Sequence, residues 1–99
     1  MFARVSSYRG DADRLRQGFA SVTDELEQLD GFAKAYFLID AEHGTALSVT
    51  LWESRAALDA SAERAHKMRT AATEPDDSTI ESVQSYEVAL TASPPTRAG

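Results

Sequence analysis

The sequence contains no cysteine. This absence excludes disulfide bonds, metal sites built on thiolates and a cysteine nucleophile. The chain also lacks a Gly-x-Ser-x-Gly motif, a phosphate-binding loop and a dinucleotide-binding fingerprint, so the enzyme classes that depend on them are not expected. Histidines and carboxylates do not occur together at metal-ligand spacing, and we therefore predict no metal site.

Basic residues and long apolar runs are scarce as well. Ten Lys and Arg residues stand against sixteen Asp and Glu residues, which gives a net charge of −6. Such a surface repels nucleic-acid phosphates and anionic membranes, so neither is an expected partner. No stretch approaches the ~20 apolar residues of a membrane span. Arg4 and Arg9 have no apolar run between them, which is unlike a signal peptide, and the expected location is cytoplasmic.

The patterns that are present predict one small α+β domain. Strand-forming runs occupy residues 2–8, 32–40, 45–52 and 79–90. One helix is expected between a cap at Asp11 or Asp13 and a stop at Gly31, and a second from Ser54 to about residue 72. A break of alternation between Val83 and Tyr86 suggests a β-bulge in the last strand. We expect a domain over residues 1–91 and a flexible tail over 92–99.

The order βαββαβ is that of ferredoxin-like folds, in which an antiparallel four-stranded sheet carries two helices on one face. The second and third strands are apolar on both faces rather than on one. In the second strand one face carries Ala33, Ala35, Phe37 and Ile39. The other face carries Phe32, Tyr36 and Leu38. A sheet with one face in water alternates apolar and polar residues. We therefore expect a second chain to cover the face opposite the helices, giving a homodimer.

Several short motifs resemble the antibiotic biosynthesis monooxygenase (ABM) superfamily, over roughly residues 1–90. They are Gly31-Phe32, Tyr36-x-Leu38-x-Asp40, Leu51-Trp52-Glu53-Ser54 and Ala57-Leu58. The resemblance implies a dimeric α/β barrel in which two ferredoxin-like sheets pack face to face. It implies fold more firmly than reaction, because the superfamily includes quinone-forming monooxygenases, haem-degrading enzymes and proteins without an assigned role.

The resemblance to the quinone-forming members implies three catalytic candidates. In those relatives a Trp at the position of Trp52 lines the substrate pocket, and an Asn stands where this chain has Ser48. A serine can donate one hydrogen bond to a substrate oxygen but cannot replace the amide fully. Relatives also carry an Arg late in the second helix that holds a substrate oxyanion, and Arg69 could fill this role.

Each of these residues also has a structural interpretation. Trp52 could be a core or interface aromatic residue. At 100° per residue, Arg69 shares one face of the second helix with Leu58, Ala62, Ala65 and Ala72. It could instead extend its guanidinium to water or pair with a carboxylate.

Four further side chains are candidates for substrate binding. Tyr8, Tyr36 and Tyr86 lie on predicted strands, and together they suit a flat aromatic ligand. His66 lies at the border of the apolar stripe of the second helix and could serve as a general base or as a solvated surface residue. His43, in the predicted hairpin, is expected at the surface.

Two functions remain open at this point, and with them whether the chain is an enzyme. The first is a monooxygenase without metal, flavin or other cofactor that oxidises an electron-rich aromatic compound with O₂. The second is a non-catalytic module that binds a small molecule or only assembles. Haem degradation is disfavoured, because the related enzymes carry an Asn on the first strand and a Trp nine residues beyond Trp52. This chain has Ser6 and Ser7 on that strand and Ser61 at the second position.

Overall fold

The computed structural model describes residues 1–95, except for the side chain of Asp76. It contains four strands, three helices and a short 3₁₀ turn at Glu74–Asp76. In chain order the strands and helices are β1 (Phe2–Arg9), α1 (Ala12–Glu27), β2 (Phe32–Asp40), β3 (Thr45–Trp52), α2 (Arg55–Ala60), α3 (Ala62–Thr73) and β4 (Thr79–Glu87). Strands β2 and β3 have the predicted bounds.

The strands form one antiparallel sheet in the order β2-β3-β1-β4. This is the ferredoxin-like α+β topology that the sequence predicted. Strand β1 lies inside the sheet and pairs with β3 so that Phe2 stands opposite Trp52 and Tyr8 opposite Ala46. Opposite residues in an antiparallel pair point to the same side. The even-numbered residues of β1 and β3 therefore share the face that the helices cover.

Helix α1 follows the predicted apolar stripe. Of the two possible caps, Asp11 is the one used, because its carboxylate accepts a hydrogen bond from the Arg14 backbone N–H at 3.2 Å. The helix buries Leu15, Phe19 and Leu26 against the sheet. Gly31 ends the connection to β2 with a φ of 76°, a value that glycine adopts without strain.

The core between the helices and the sheet consists of two adjoining clusters. The buried members of the first are Tyr8, Leu15, Phe19, Ala46 and Ala72. Those of the second are Leu26, Trp52, Leu58 and Met68. Partly buried Val22 and Phe37 contact both clusters, so the core is continuous from one end of the sheet to the other.

The second predicted helix is interrupted at Ser61, which is a correction to the sequence analysis. Ser54 caps α2 as expected, accepting a hydrogen bond from the Ala57 N–H at 3.1 Å. The Ser61 hydroxyl, however, donates to the Leu58 carbonyl at 2.7 Å. A serine bonded to its own backbone in this way competes with the helical hydrogen bonds. As a consequence Ser61 is buried, whereas Ala62, expected on the inner face, is exposed.

Strand β4 also differs from its prediction, since it ends at Glu87 rather than at residue 90. Its partner β1 begins at Phe2. A backbone hydrogen bond from the Val88 N–H to the Met1 carbonyl, at 2.9 Å, lies just beyond the ends of both strands. The irregularity in the ladder lies opposite Ser7 and Tyr8, not between Val83 and Tyr86. Residues 92–95 of the expected tail form no helix or strand, and residues 96–99 lie outside the described part of the chain.

The face of the sheet away from the helices is apolar and uncovered in the single chain. We call it the open face. Its exposed large residues are Tyr36, Leu38, Leu47 and Tyr86. Partly buried Val5, Val49 and Leu51 lie between them. Within residues 1–95 no helix is both long enough and apolar enough to cross a membrane.

Candidate functional site

A cavity lies between the helix-covered face of the sheet and helices α1 and α3. Its volume is ≈ 40 Å³, enough for a few water molecules at about 10–15 Å³ each. The lining residues are mostly apolar or aromatic. The polar and charged ones are Arg4, Ser6, Tyr8, Ser48, Thr50, Trp52 and Arg69.

The cavity brings together the three residues predicted to be catalytic. Trp52 is fully buried at the end of β3, and its indole N–H donates to the Thr50 hydroxyl at 3.0 Å. The rings of Trp52 and Phe32 pack edge to face, with 5.6 Å between the ring centres. This contact holds the indole against the wall of the cavity. Ser48 and Arg69 line the same space from β3 and α3.

Tyr8 is the only one of the four predicted substrate-binding residues to line the cavity within the described chain. Its hydroxyl lies 2.8 Å from the Ser48 hydroxyl, and both groups are buried. Its ring packs on Phe19 with an edge-to-face geometry, at 5.1 Å between centres. Tyr8 and Ser48 thus act as one hydrogen-bonded pair, in which either hydroxyl can be the donor.

The other three predicted binding residues lie elsewhere. Tyr36 and Tyr86 are on the open face, 46% and 51% exposed, and the Tyr86 hydroxyl donates to Gln84. His66 is exposed on α3 and does not line the cavity. His43 is at the surface, as expected, and pairs with Asp40.

Arg69 reaches the cavity from α3, where Ala65 and Ala72 leave room beside it. Its Nε is buried and has no hydrogen-bond partner among the described residues. Burial lowers the pKa of Arg69, and Tyr8 opposes this shift in part. Among the ion pairs formed within residues 1–95, none involves Arg69. The alternative of an arginine neutralised by a nearby carboxylate therefore does not apply to the described chain.

Arg4 is a cavity residue that the sequence analysis missed. Only 6% of its surface is exposed. One terminal nitrogen donates to the Leu58 carbonyl at 2.8 Å and the other to the Ser61 hydroxyl at 3.1 Å. The guanidinium carbon lies 5.8 Å from the centre of the Trp52 ring, within the range of a cation–π contact. The period of two along β1 already placed Arg4 on the face of Tyr8, and this signal could have identified it.

Electrostatics set this cavity apart from an ordinary apolar core. Burial lowers the pKa of Arg4, and the charge of Arg69 lowers it further, while Asp59 has a smaller opposing effect. The Ser6 hydroxyl, 1% exposed between Arg4 and Tyr8 on β1, has no hydrogen-bond partner in the described structure. No His or carboxylate cluster suited to a metal ion occurs within residues 1–95. The cavity therefore presents cationic and hydroxyl donors beside an aromatic wall.

The fold is shared with several solved structures. SnoaB, a cofactor-independent oxygenase from Streptomyces nogalater, is 16% identical with a TM-score of 0.72, over 91% of this chain and 94% of that one. MhuD, a haem degrader from Mycobacterium tuberculosis, is 23% identical with a TM-score of 0.72, over 94% and 100%. The ActVA-Orf6 monooxygenase of Streptomyces coelicolor, solved with nanaomycin D, is 15% identical with a TM-score of 0.69, over 96% and 92%.

At these identities the likeness concerns the fold. No protein-family model matches the sequence, and no curated protein is significantly similar to it. All three structures have the fold that the Trp-Glu-Ser junction and its neighbouring motifs predicted. The chain has the α+β ferredoxin-like fold of the antibiotic biosynthesis monooxygenase-like proteins.

Proposed function

We propose that the protein is a cofactor-independent monooxygenase that oxidises an electron-rich, ionisable aromatic compound with O₂. One observation carries this proposal. Trp52, Ser48, Tyr8 and Arg69 come from three different elements and meet at one cavity, where the buried Arg69 Nε has no partner. A guanidinium with a free donor in a site of low polarity is suited to stabilising a developing oxyanion.

The substrate itself supplies the electrons in this reaction. An anthrone or an electron-rich phenol gives up a proton, which ends in the water that is released. The resulting enolate or phenolate, held by Arg69, transfers an electron to O₂. One oxygen atom enters the substrate and the other leaves as water, so a quinone forms without a metal or flavin. The Tyr8–Ser48 hydroxyl pair positions a substrate oxygen, and Trp52 provides the face on which the ring lies.

Oxygen uptake by metal-chelated protein tests the proposal, using a panel of anthrones, hydroquinones and polycyclic phenols. Saturable uptake above autoxidation is expected for at least one substrate. Removal of a donor to an oxyanion typically costs about 10²–10³ in kcat, and we expect a loss of this order in Arg69→Met. The control is Arg64→Met on the same helix, because Arg64 is exposed and pairs with Glu25. A flat trace over the whole panel from folded protein would contradict the proposal.

The size of the cavity favours a second candidate, a module that binds a small molecule without catalysis. A space of ≈ 40 Å³ holds a few water molecules, whereas pockets for drug-sized ligands measure about 300–1,000 Å³. A three-ring substrate enters only if side chains that line the cavity move aside. Ser48, in place of an amide, fits this candidate equally well. The non-catalytic module predicts saturable ligand binding with no oxygen uptake.

Haem degradation fits this chain less well than either candidate, although MhuD has a similar fold. Arg4 and Ser61 are bonded to each other across the region between β1 and the α2–α3 junction. On this strand and at this helix position, the chain has Ser6, Ser7 and Ser61 where the haem-degrading relatives carry an Asn and a Trp. The hydrogen-bonded pair of buried Arg4 and Ser61 does not replace that Asn and Trp.

The proposal includes a homodimer assembled through the open face. Four large residues on this face are between 39% and 51% exposed in the single chain, namely Tyr36, Leu38, Leu47 and Tyr86. Contiguous apolar patches of this kind are typical of interaction surfaces. Packing of two such sheets would bury these residues, and the dimer would then be an α/β barrel with one cavity in each half.

A further inference from the structure

The net charge of the cavity carries an inference about its ligand that rests on the proposed pocket function. Among the described residues that line it, Arg4 and Arg69 are charged and none is acidic. Neither arginine takes part in an ion pair within residues 1–95. Asp59, the acidic residue that acts on Arg4, is itself exposed and lies 3.9 Å from Arg55. The cavity therefore holds two positive charges, on buried Arg4 and on partly buried Arg69, with no carboxylate among its described lining residues.

Buried charges are stable only when they are paired or well solvated. An arginine does not escape this cost by losing its proton, because the guanidinium stays charged at physiological pH. Burial disfavours the cationic forms of both residues here, as the lowered pKa values of Arg4 and Arg69 indicate. A negatively charged ligand would remove the imbalance.

Hydrogen-bond donors that have no partner also favour an anionic ligand. The Arg69 Nε and the Ser6 hydroxyl are both buried without partners in the described structure. Arg4 uses two of its five N–H donors on Leu58 and Ser61, so others remain available. The apolar residues that complete the lining include Phe19, Phe37 and Met68.

We propose that the ligand of this cavity is a hydroxyaryl carboxylate, recognised by both arginines at once. Arg4, with the Ser6 hydroxyl, receives the carboxylate, and Arg69 receives an ionisable hydroxyl on the same ring, separated from the carboxylate. The aromatic ring lies against the apolar lining residues. The carboxylate compensates the charge of Arg4 and ionisation of the hydroxyl compensates that of Arg69, whereas a neutral phenol compensates neither.

The test compares 3-hydroxybenzoate with its primary amide, 3-hydroxybenzamide, by isothermal titration calorimetry at pH 7 without oxygen. The two probes have nearly the same shape, so the small volume of the cavity affects them equally. We expect the acid to bind at least tenfold more tightly than the amide. Arg69→Met and Arg4→Met should each reduce this preference at least tenfold, and Arg64→Met should leave it unchanged.

A structural role of Arg4 at the α2–α3 junction is tested separately. Ser61→Ala removes one of the hydrogen-bond partners of Arg4 but keeps its charge, so the preference for the acid should persist. Equal binding of acid and amide by the wild-type protein, or no binding of the acid, overturns the inference. In that case the oxygenase proposal would still be supported if an uncharged anthrone gave oxygen uptake. Selective binding of the acid without uptake on any substrate would instead uphold the inference and refute the oxygenase.

Discussion

Substitution of Leu38 tests the proposed dimer most directly. Leu38 is 48% exposed on the open face, directly opposite Leu47 in the β2–β3 pair. Full burial of a leucine side chain is worth about 1.5–3 kcal/mol, so burial of the exposed half contributes roughly 1 kcal/mol. A twofold dimer contains the residue twice. Leu38→Ala should therefore cost roughly 2 kcal/mol of association, or about 30-fold in Kd.

Leu38→Asp should have a much larger effect. It places two unpaired carboxylates in the same apolar interface, which adds several kcal/mol. In the single chain the side chain already faces water, so the free energy of unfolding of the monomer should change by only about 0.5 kcal/mol. The control Ala56→Asp adds the same charge at an exposed position in the first turn of α2, where an acidic residue is favourable.

Sedimentation velocity over a range of micromolar concentrations measures the effect. We expect dimers for the wild type and Ala56→Asp, a concentration-dependent mixture for Leu38→Ala, and monomers for Leu38→Asp. A wild-type protein that is monomeric throughout the range would refute the reasoning. So would a Leu38→Asp variant that remains dimeric, because the dimer would then use another surface.

Three further changes test the fold. Gly18→Ala would place a methyl group onto the backbone carbonyl oxygen of Ala72, and overpacking of this kind should lower the free energy of unfolding by about 1–3 kcal/mol in urea denaturation. Ser54→Ala removes the cap of α2 and should cost about 1 kcal/mol in the same assay, whereas an uncapped helix end would show no change. The pKa of Asp40 is lowered by hydrogen bonds from His43, so the stability it contributes is present above the unfolded pKa and is lost as the pH falls through the folded pKa. His43→Ala should raise the pKa of Asp40 towards its ordinary value in an NMR titration, and an unchanged titration would contradict the assignment.

Local patterns in the sequence were sufficient to predict the order and bounds of most elements. The apolar, strand-forming runs at residues 32–40 and 45–52 and the helical spacing of Leu15, Phe19 and Leu26 depend only on local sequence. The pocket position of Trp52 was predicted instead from the resemblance of the Leu51-Trp52-Glu53-Ser54 junction, and Trp52 does line the cavity. The break at Ser61 was not predicted, because a hydrogen bond to residue 58 leaves no trace in apolar spacing.

The contents of the cavity depended on contacts between residues far apart in the chain. Arg4 and Ser61 are 57 positions apart, and only the packing of α2 on β1 brings them within 3.1 Å. Strand register, in turn, placed Tyr8 on the helix-covered face and Tyr36 on the open face, because it assigns each strand residue to one side of the sheet. The sequence by itself determined the elements and their order, because these follow from local periodicity. Only the tertiary structure decided that two arginines share one cavity with no carboxylate among its described lining residues, because that depends on which distant side chains meet.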